Sequence, residues 1–177
     1  MKSDRQPFLE PAILYGGIIG VVTVIHSVIV SILGANFSVY HQIASYLIPI
    51  IGLIYCLYAY RKEYLSDQMT YGQAFLMGFA ILFISGLINL IYTYVYISYI
   101  NPDFFNQAEI IMEEKLIRKG MDADLIENVM EKTSRLRTIK WTVIMALIYT
   151  IFYGAFVSLI VSAFMKKVND EPFRDVV

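Results

Sequence analysis

Residues 70–101, TYGQAFLMGFAILFISGLINLIYTYVYISYIN, contain no Asp, Glu, Lys or Arg. A helix of about 20 apolar residues, rising about 1.5 Å per residue, crosses a hydrocarbon core about 30 Å thick, so this stretch is long enough to span a membrane. Three further stretches are equally free of charge: Pro11 to Gly34, Phe37 to Tyr60 and Trp141 to Met165. Inside lipid every backbone N–H and C=O must be paired within its own segment or in a closed barrel, and runs this long without alternation exclude the barrel. The expected fold is all-α: an integral membrane four-helix bundle with spans at about 11–34, 37–60, 70–101 and 141–165, in a single membrane domain over 1–177.

Composition agrees with that fold and excludes several functions. The chain is 58% hydrophobic and 16% charged, too oily for a soluble domain of 177 residues. Its net charge is −1, and the basic residues are interleaved with acids, so no nucleic-acid surface is expected. Cys56 is the single cysteine and falls inside the second span, which excludes a disulfide framework and quinone-linked thiol oxidation by a cysteine pair. Lys2 and Arg5 precede the first apolar run as in a secretory signal, but the run is too long for one, so it reads as an uncleaved first span. Asn36-Phe37-Ser38 matches a glycosylation pattern in a turn pressed against the bilayer, where chance explains it.

Working outward from the spans, the first two make a tight hairpin across Ala35, and Arg61 to Met69 is a short polar link. The connection 102–140 holds about half the charges and reads as an extramembrane amphipathic helical hairpin. Asn101 can cap its first helix, Pro102 suits the first position, Asp103 favours the positive end of the dipole, and Gly120 can end it. Phe104, Ala108, Ile111, Met112 and Leu116 recur at helical spacing. The second helix starts at Asp122, carries Leu125, Ile126, Val129, Met130 and Leu136 on one stripe, and can continue unbroken through Thr138, Ile139 and Lys140. The stripes can face each other, or lie on the bilayer surface with Glu113, Glu114, Lys115, Arg118 and Lys119 in water.

An even number of spans puts both termini on one side. Lys2, Arg5, Arg61, Lys62, Lys166 and Lys167 favour cytoplasmic termini, against Arg135, Arg137 and Lys140 on the other side, because earlier helices set orientation.

Lipid tails are as apolar as leucine, so spans associate through close contact at small residues. Gly16 and Gly20, continued by Thr23, Ser27 and Ser31, form such a stripe in the first span. Ala146, Thr150, Gly154, Ser158 and Ser162 form another along the fourth. Gly72, Gly78, Ser85 and Gly86 add to it in the third, and Pro49 should kink the second. Tyr58, Tyr60, Tyr64, Tyr71, Tyr92, Tyr94, Tyr96 and Tyr99 sit near span ends, as in an aromatic belt.

Candidate chemistry is sparse. His26 is the clear ionisable group within a span, and Asn89 is its best available partner; together they make the candidate intramembrane polar site. His41 reads as interfacial. No carboxylate lies within a span, which counts against a proton-coupled exporter. Asp122, Asp124 and Glu127 read as helix-start acids without a glycine-bearing calcium loop, and neighbouring Glu113 and Glu114 point in different directions. There is no Gly-x-Ser-x-Gly, His-Glu-x-x-His or P-loop motif. No catalytic residue, metal site or cofactor is expected.

Met69-Thr70-Tyr71-Gly72-Gln73-Ala74-Phe75, then Gly78, Ile100-Asn101-Pro102-Asp103-Phe104, the Gly120-Met121 break, and Gly154, Ser158-Leu159-Ile160 and Lys166-Lys167 form an ordered pattern. The chain thereby resembles domain of unknown function family 4199, over nearly its whole length and most closely from Tyr60 to Lys167. The resemblance implies a small four-span bacterial membrane protein of uncharacterised role, and brings no catalytic or ligand residue with it. The expectation is a non-enzymatic scaffold or accessory protein in the bacterial inner membrane. Its partners would be the lipid bilayer and either a second copy or another membrane protein, engaged through 102–140. The alternative is a small transporter or channel using His26 and Asn89.

Overall fold

The computed structural model describes residues 8–134 and 137–167. The elements are α1 (Leu9–Ile32), α2 (Val39–Tyr64), α3 (Tyr71–Val95), a π-helical turn (Tyr96–Ile100) continuing α3, α4 (Phe104–Arg118), α5 (Ala123–Ser134) and α6 (Ile139–Met165). The fold is all-α, and α1, α2, α3 with its π turn, and α6 are long and apolar enough to cross a membrane. α2 runs past Tyr60 to Tyr64, since Arg61 and Lys62 in its last turn suit the negative end of the helix dipole. Lys2 and Arg5, Arg135 and Leu136, and the chain beyond Lys167 lie outside the described residues.

The chain divides into two units, one drawn from Met1–Ile88 and Thr150–Val177, the other Asn89–Tyr149. In the first, α1 ends in a Schellman turn: Gly34 takes φ +64°, its N–H reaches Ser31 O at 3.0 Å, and Ala35 N–H reaches Val30 O at 3.0 Å. Ser38 then caps α2 by accepting from Tyr40 N–H at 3.2 Å. Leu53, Leu57, Met77 and Ile81 are fully buried at the centre of this unit.

Small residues let these helices approach. A Cβ on Gly16 would meet the Ile81 carbonyl oxygen at 2.8 Å, and one on Gly20 would meet Ile88 Cδ1 at 2.7 Å, which sets α1 directly against α3. Gly52 of α2 faces Ile19 of α1. On α6, Thr150 faces Gly86 of α3, Ser158 faces Gly78, and Gly154 faces Phe79 and Leu82. Gly154, Ser158 and Ser162 are all buried. Ser27 is half-buried and gives its hydroxyl to Thr23 O at 3.0 Å, within its own helix.

A polar clasp closes one end of this unit. Met69 and Lys167 exchange backbone hydrogen bonds of 2.7 and 2.9 Å, Asp67 pairs with Arg61 at 3.0 Å and with Lys167, and Arg61 donates to Met165 O at 3.1 Å. The last contact satisfies a carbonyl that α6 leaves orphaned at its C-terminus. Lys167, foremost, and then Arg61 hold the Asp67 carboxyl below the ordinary carboxylate range.

The second unit contains the hairpin. Asn101 does not cap α4: the π turn engages its backbone N–H with Tyr96 O, and its side chain pairs with Gln107 and donates to Tyr96 Oη at 3.2 Å. α4 starts two residues later at Phe104, after an Asp103 without a side-chain cap. Its end is a second Schellman turn, with Gly120 at φ +71°, Gly120 N–H to Ile117 O and Met121 N–H to Leu116 O. The helical path also does not continue unbroken into the last span. Arg137 and Thr138 are not helical, and Thr138 starts α6 anew by accepting from Trp141 N–H at 3.4 Å, an N-cap bond to the third helical residue.

Candidate functional site

His26 lies six residues before the end of α1, so about 9 Å along the helix from that end rather than at its middle. Because the turn to α2 is short and antiparallel, the third residue of α2 comes alongside. That residue is His41, and the two imidazoles stack with centroids 5.2 Å apart and an interplanar angle of 27°. Ser45 Oγ approaches His41 Nδ1 at 3.4 Å, one turn further along α2. His41 is therefore more than an interfacial residue. The chain's two histidines flank one tight turn, and that spacing is the signal that could have paired them. Asn89 is half-buried at the start of the second unit.

The tyrosines divide into two kinds. Tyr58, Tyr71, Tyr94 and Tyr99 are exposed, as a belt requires, whereas Tyr60 and Tyr96 are buried in protein. Their rings stack on Tyr64 and Tyr92, four residues away on the same helices. Other phenols tie helices together: Tyr15 donates to Glu63 at 2.9 Å, and Tyr153 of α6 donates to Tyr46 O of α2 at 2.9 Å.

The hairpin offers the second candidate. α4 and α5 pack on each other, and Ile126 is the residue of α5 buried between them. Leu125, expected on the same stripe, is exposed, because adjacent helical positions diverge by about 100°. Arg137 latches the open end of the pair. Its Nη2 donates to Thr133 Oγ1 at 3.1 Å and lies 3.1 Å from Met112 Sδ; its Nη1 sits 3.2 Å from Glu109 Oε2, an ion pair not aligned as a hydrogen bond.

Along the same face runs a groove of about 540 Å³, with Ile117, Ala123, Ile126 and Met130 as its apolar part. Glu109 and Glu113 on α4 and Glu127 and Glu131 on α5 also line it. The sequence reading assigned Glu113 to a solvated face and Glu127 to a helix start, and missed that both border one concavity. Spacing of four residues on each helix was the available signal. Among the described residues, no three His, Cys, Asp or Glu side chains come together as metal ligands.

The family model of proteins of unknown function DUF4199 matches residues 14–167. The chain belongs to that family. No curated protein matches this DUF4199 member, and no solved structure does. The match takes in both histidines, the glycine-mediated helix contacts and the whole α4–α5 hairpin.

Proposed function

We propose that this DUF4199 protein is a non-enzymatic multi-pass protein of the bacterial inner membrane, a scaffold or accessory protein that engages a partner through the α4–α5 hairpin. The observation that carries this reading is the hairpin itself. It concentrates charge in a chain whose spans have almost none, closes on itself through Arg137, and still leaves a groove open. A purely connecting segment needs neither the latch nor the concavity.

The clasp supports cytoplasmic termini. The Met69–Lys167 bridge gathers Arg61, Lys62, Lys166 and Lys167 at one end of the first unit, and a cytoplasmic placement of that end obeys the positive-inside rule. Cysteines placed at Ser66 and at Asn106 in a Cys56→Ser background test it. Membrane-impermeant maleimide added to intact cells should label position 106 and spare position 66. The reverse pattern would invert the topology.

Crosslinking in cells, followed by purification in mild detergent, tests the scaffold reading. A discrete complex that disappears when residues 104–134 are replaced by a glycine-serine linker is the expected result. A monomer free of partners, unaffected by that replacement, would overturn it.

The His26–His41 stack supports a second reading, a small transporter or channel with an intramembrane polar site at His26. Proteoliposome ion flux that falls on His26→Ala would favour transport. Flux independent of His26 would remove this site from consideration.

A further inference from the structure

We propose that the α4–α5 groove receives a cationic amphipathic helix from a partner protein. This rests on the scaffold reading above and names the chemistry of what the hairpin holds. A cleft between two antiparallel helices, apolar within and polar at its edges, has the form that accepts a third helix by its apolar face. α4 is 15 residues long, about 22 Å, so the occupant would contribute roughly three to four turns.

Charge selects among occupants. Glu109 and Glu113 stand one turn apart on α4, and Glu127 and Glu131 stand one turn apart on α5. Glu109 is matched by Arg137, while Glu113 and Glu127 make no ion pair among the described residues and are exposed. Ile126 and Met130 form the apolar floor between them. An occupant with Leu or Ile along one stripe and Lys or Arg on its flanks would cover the floor and pair with the open carboxylates.

Two other occupants fit poorly. A two-fold contact through the same groove of a second copy would bring the open Glu113 and Glu127 of one copy against the same pair of the other, and like charges facing each other at short range are repulsive. An anionic lipid surface meets the same repulsion. The cationic helix alone satisfies both the apolar floor and the acidic edges.

The test uses the full chain in phosphatidylcholine nanodiscs, with empty discs subtracted. One probe is a fluorescein-labelled 14-residue peptide with leucine at helical spacing and lysine elsewhere; the other replaces each lysine with glutamate. Anisotropy titration should show saturable binding of the lysine peptide and none of the glutamate peptide. In the Glu113→Gln/Glu127→Gln double variant the Kd should rise about tenfold, as expected for losing two partly exposed ion pairs of somewhat under 1 kcal/mol each. Glu114→Gln, outside the groove, should leave it unchanged. Equal affinity in the wild type and the double variant, or equal binding of both peptides, would overturn the proposal. So would a concentration-dependent dimer that the double variant abolishes, because the groove would then serve a second copy. A hairpin-dependent complex in cells combined with no lysine-peptide binding would sink this inference and leave the scaffold reading standing. Absence of any complex would sink the scaffold reading instead.

Discussion

The two units hold helix pairs together by opposite means. In the first, α1 and α3 approach because Gly16 and Gly20 have no side chain, and α3 meets α6 across Gly78, Gly86, Thr150 and Ser158. In the second, α4 and α5 pack through Ile126 and partly buried apolar neighbours, with Arg137 binding Glu109 and Thr133 at the open end. The difference is the one expected if the first pair meets lipid and the second meets water. Water drives apolar side chains together and leaves charges to close the edges, whereas lipid gives leucine no reason to leave it, so close backbone approach must supply the attraction.

That contrast can be broken most forcefully at Gly16. Gly16→Ala sets a methyl 2.8 Å from a backbone carbonyl that cannot rotate away. Thermal unfolding in mild detergent should show a loss of about 1–3 kcal/mol. Gly17→Ala, on the same helix with nothing within 4 Å, should change stability by less than about 0.5 kcal/mol. The same change at both positions would mean that close approach at Gly16 does not govern this face, since the higher helix propensity of alanine favours both substitutions alike.

Arg137→Met probes the opposite strategy. It removes the ion pair with Glu109 and the bond to Thr133 while keeping an apolar stem, and should cost about 1–2 kcal/mol. Hydrogen exchange should accelerate in residues 104–134 and stay slow in α1. Exchange that rises equally in both regions would erase the distinction between the units.

Gly120→Ala is a smaller perturbation of the same region. At φ +71° an added Cβ strains the Schellman turn by about 1 kcal/mol. The fraying should be confined to the last turn of α4 in backbone amide spectra.

The smallest effect concerns the clasp in acid. Since Lys167 and Arg61 lower the folded-state pKa of Asp67 below its unfolded value, the stability it contributes is fully present above the ordinary carboxylate range. It fades as pH falls through the lowered value. Asp67 is well exposed, so solvent screens the contribution and it should be slight. Asp67→Asn, which tolerates the positive φ of that turn, should melt slightly below wild type at pH 7, with the gap closing as the pH falls below the ordinary carboxylate range. A gap that widens in acid would reverse the sign and exclude the carboxylate as its source.

Much of this was legible in the residues. Charge-free runs located the spans to within a few positions, because the length of a membrane helix is dictated by the bilayer and not by its neighbours. Gly120 as the end of α4 was equally visible, since only glycine takes that backbone conformation at no steric cost. Boundaries that depend on competition were not. Asn101 looks like a cap, but a preceding π turn claims it, and whether α5 continues into α6 was decided by Thr138 capping the later helix.

The candidate sites divide in the same way. His26 stood out because an imidazole inside a span is rare, yet its contact with His41 depends on how two helices meet across a six-residue turn. Glu113 and Glu127 read as surface acids, and they line one groove only because α4 folds back antiparallel on α5.

The sequence alone determined which segments meet lipid, that they are helical, and which small residues permit close approach, because these depend on local composition and backbone chemistry. The tertiary structure decided which helix each glycine faces, which histidine meets which, and where the acids converge. Those pairings depend on distances between segments remote along the chain, which a linear pattern does not encode.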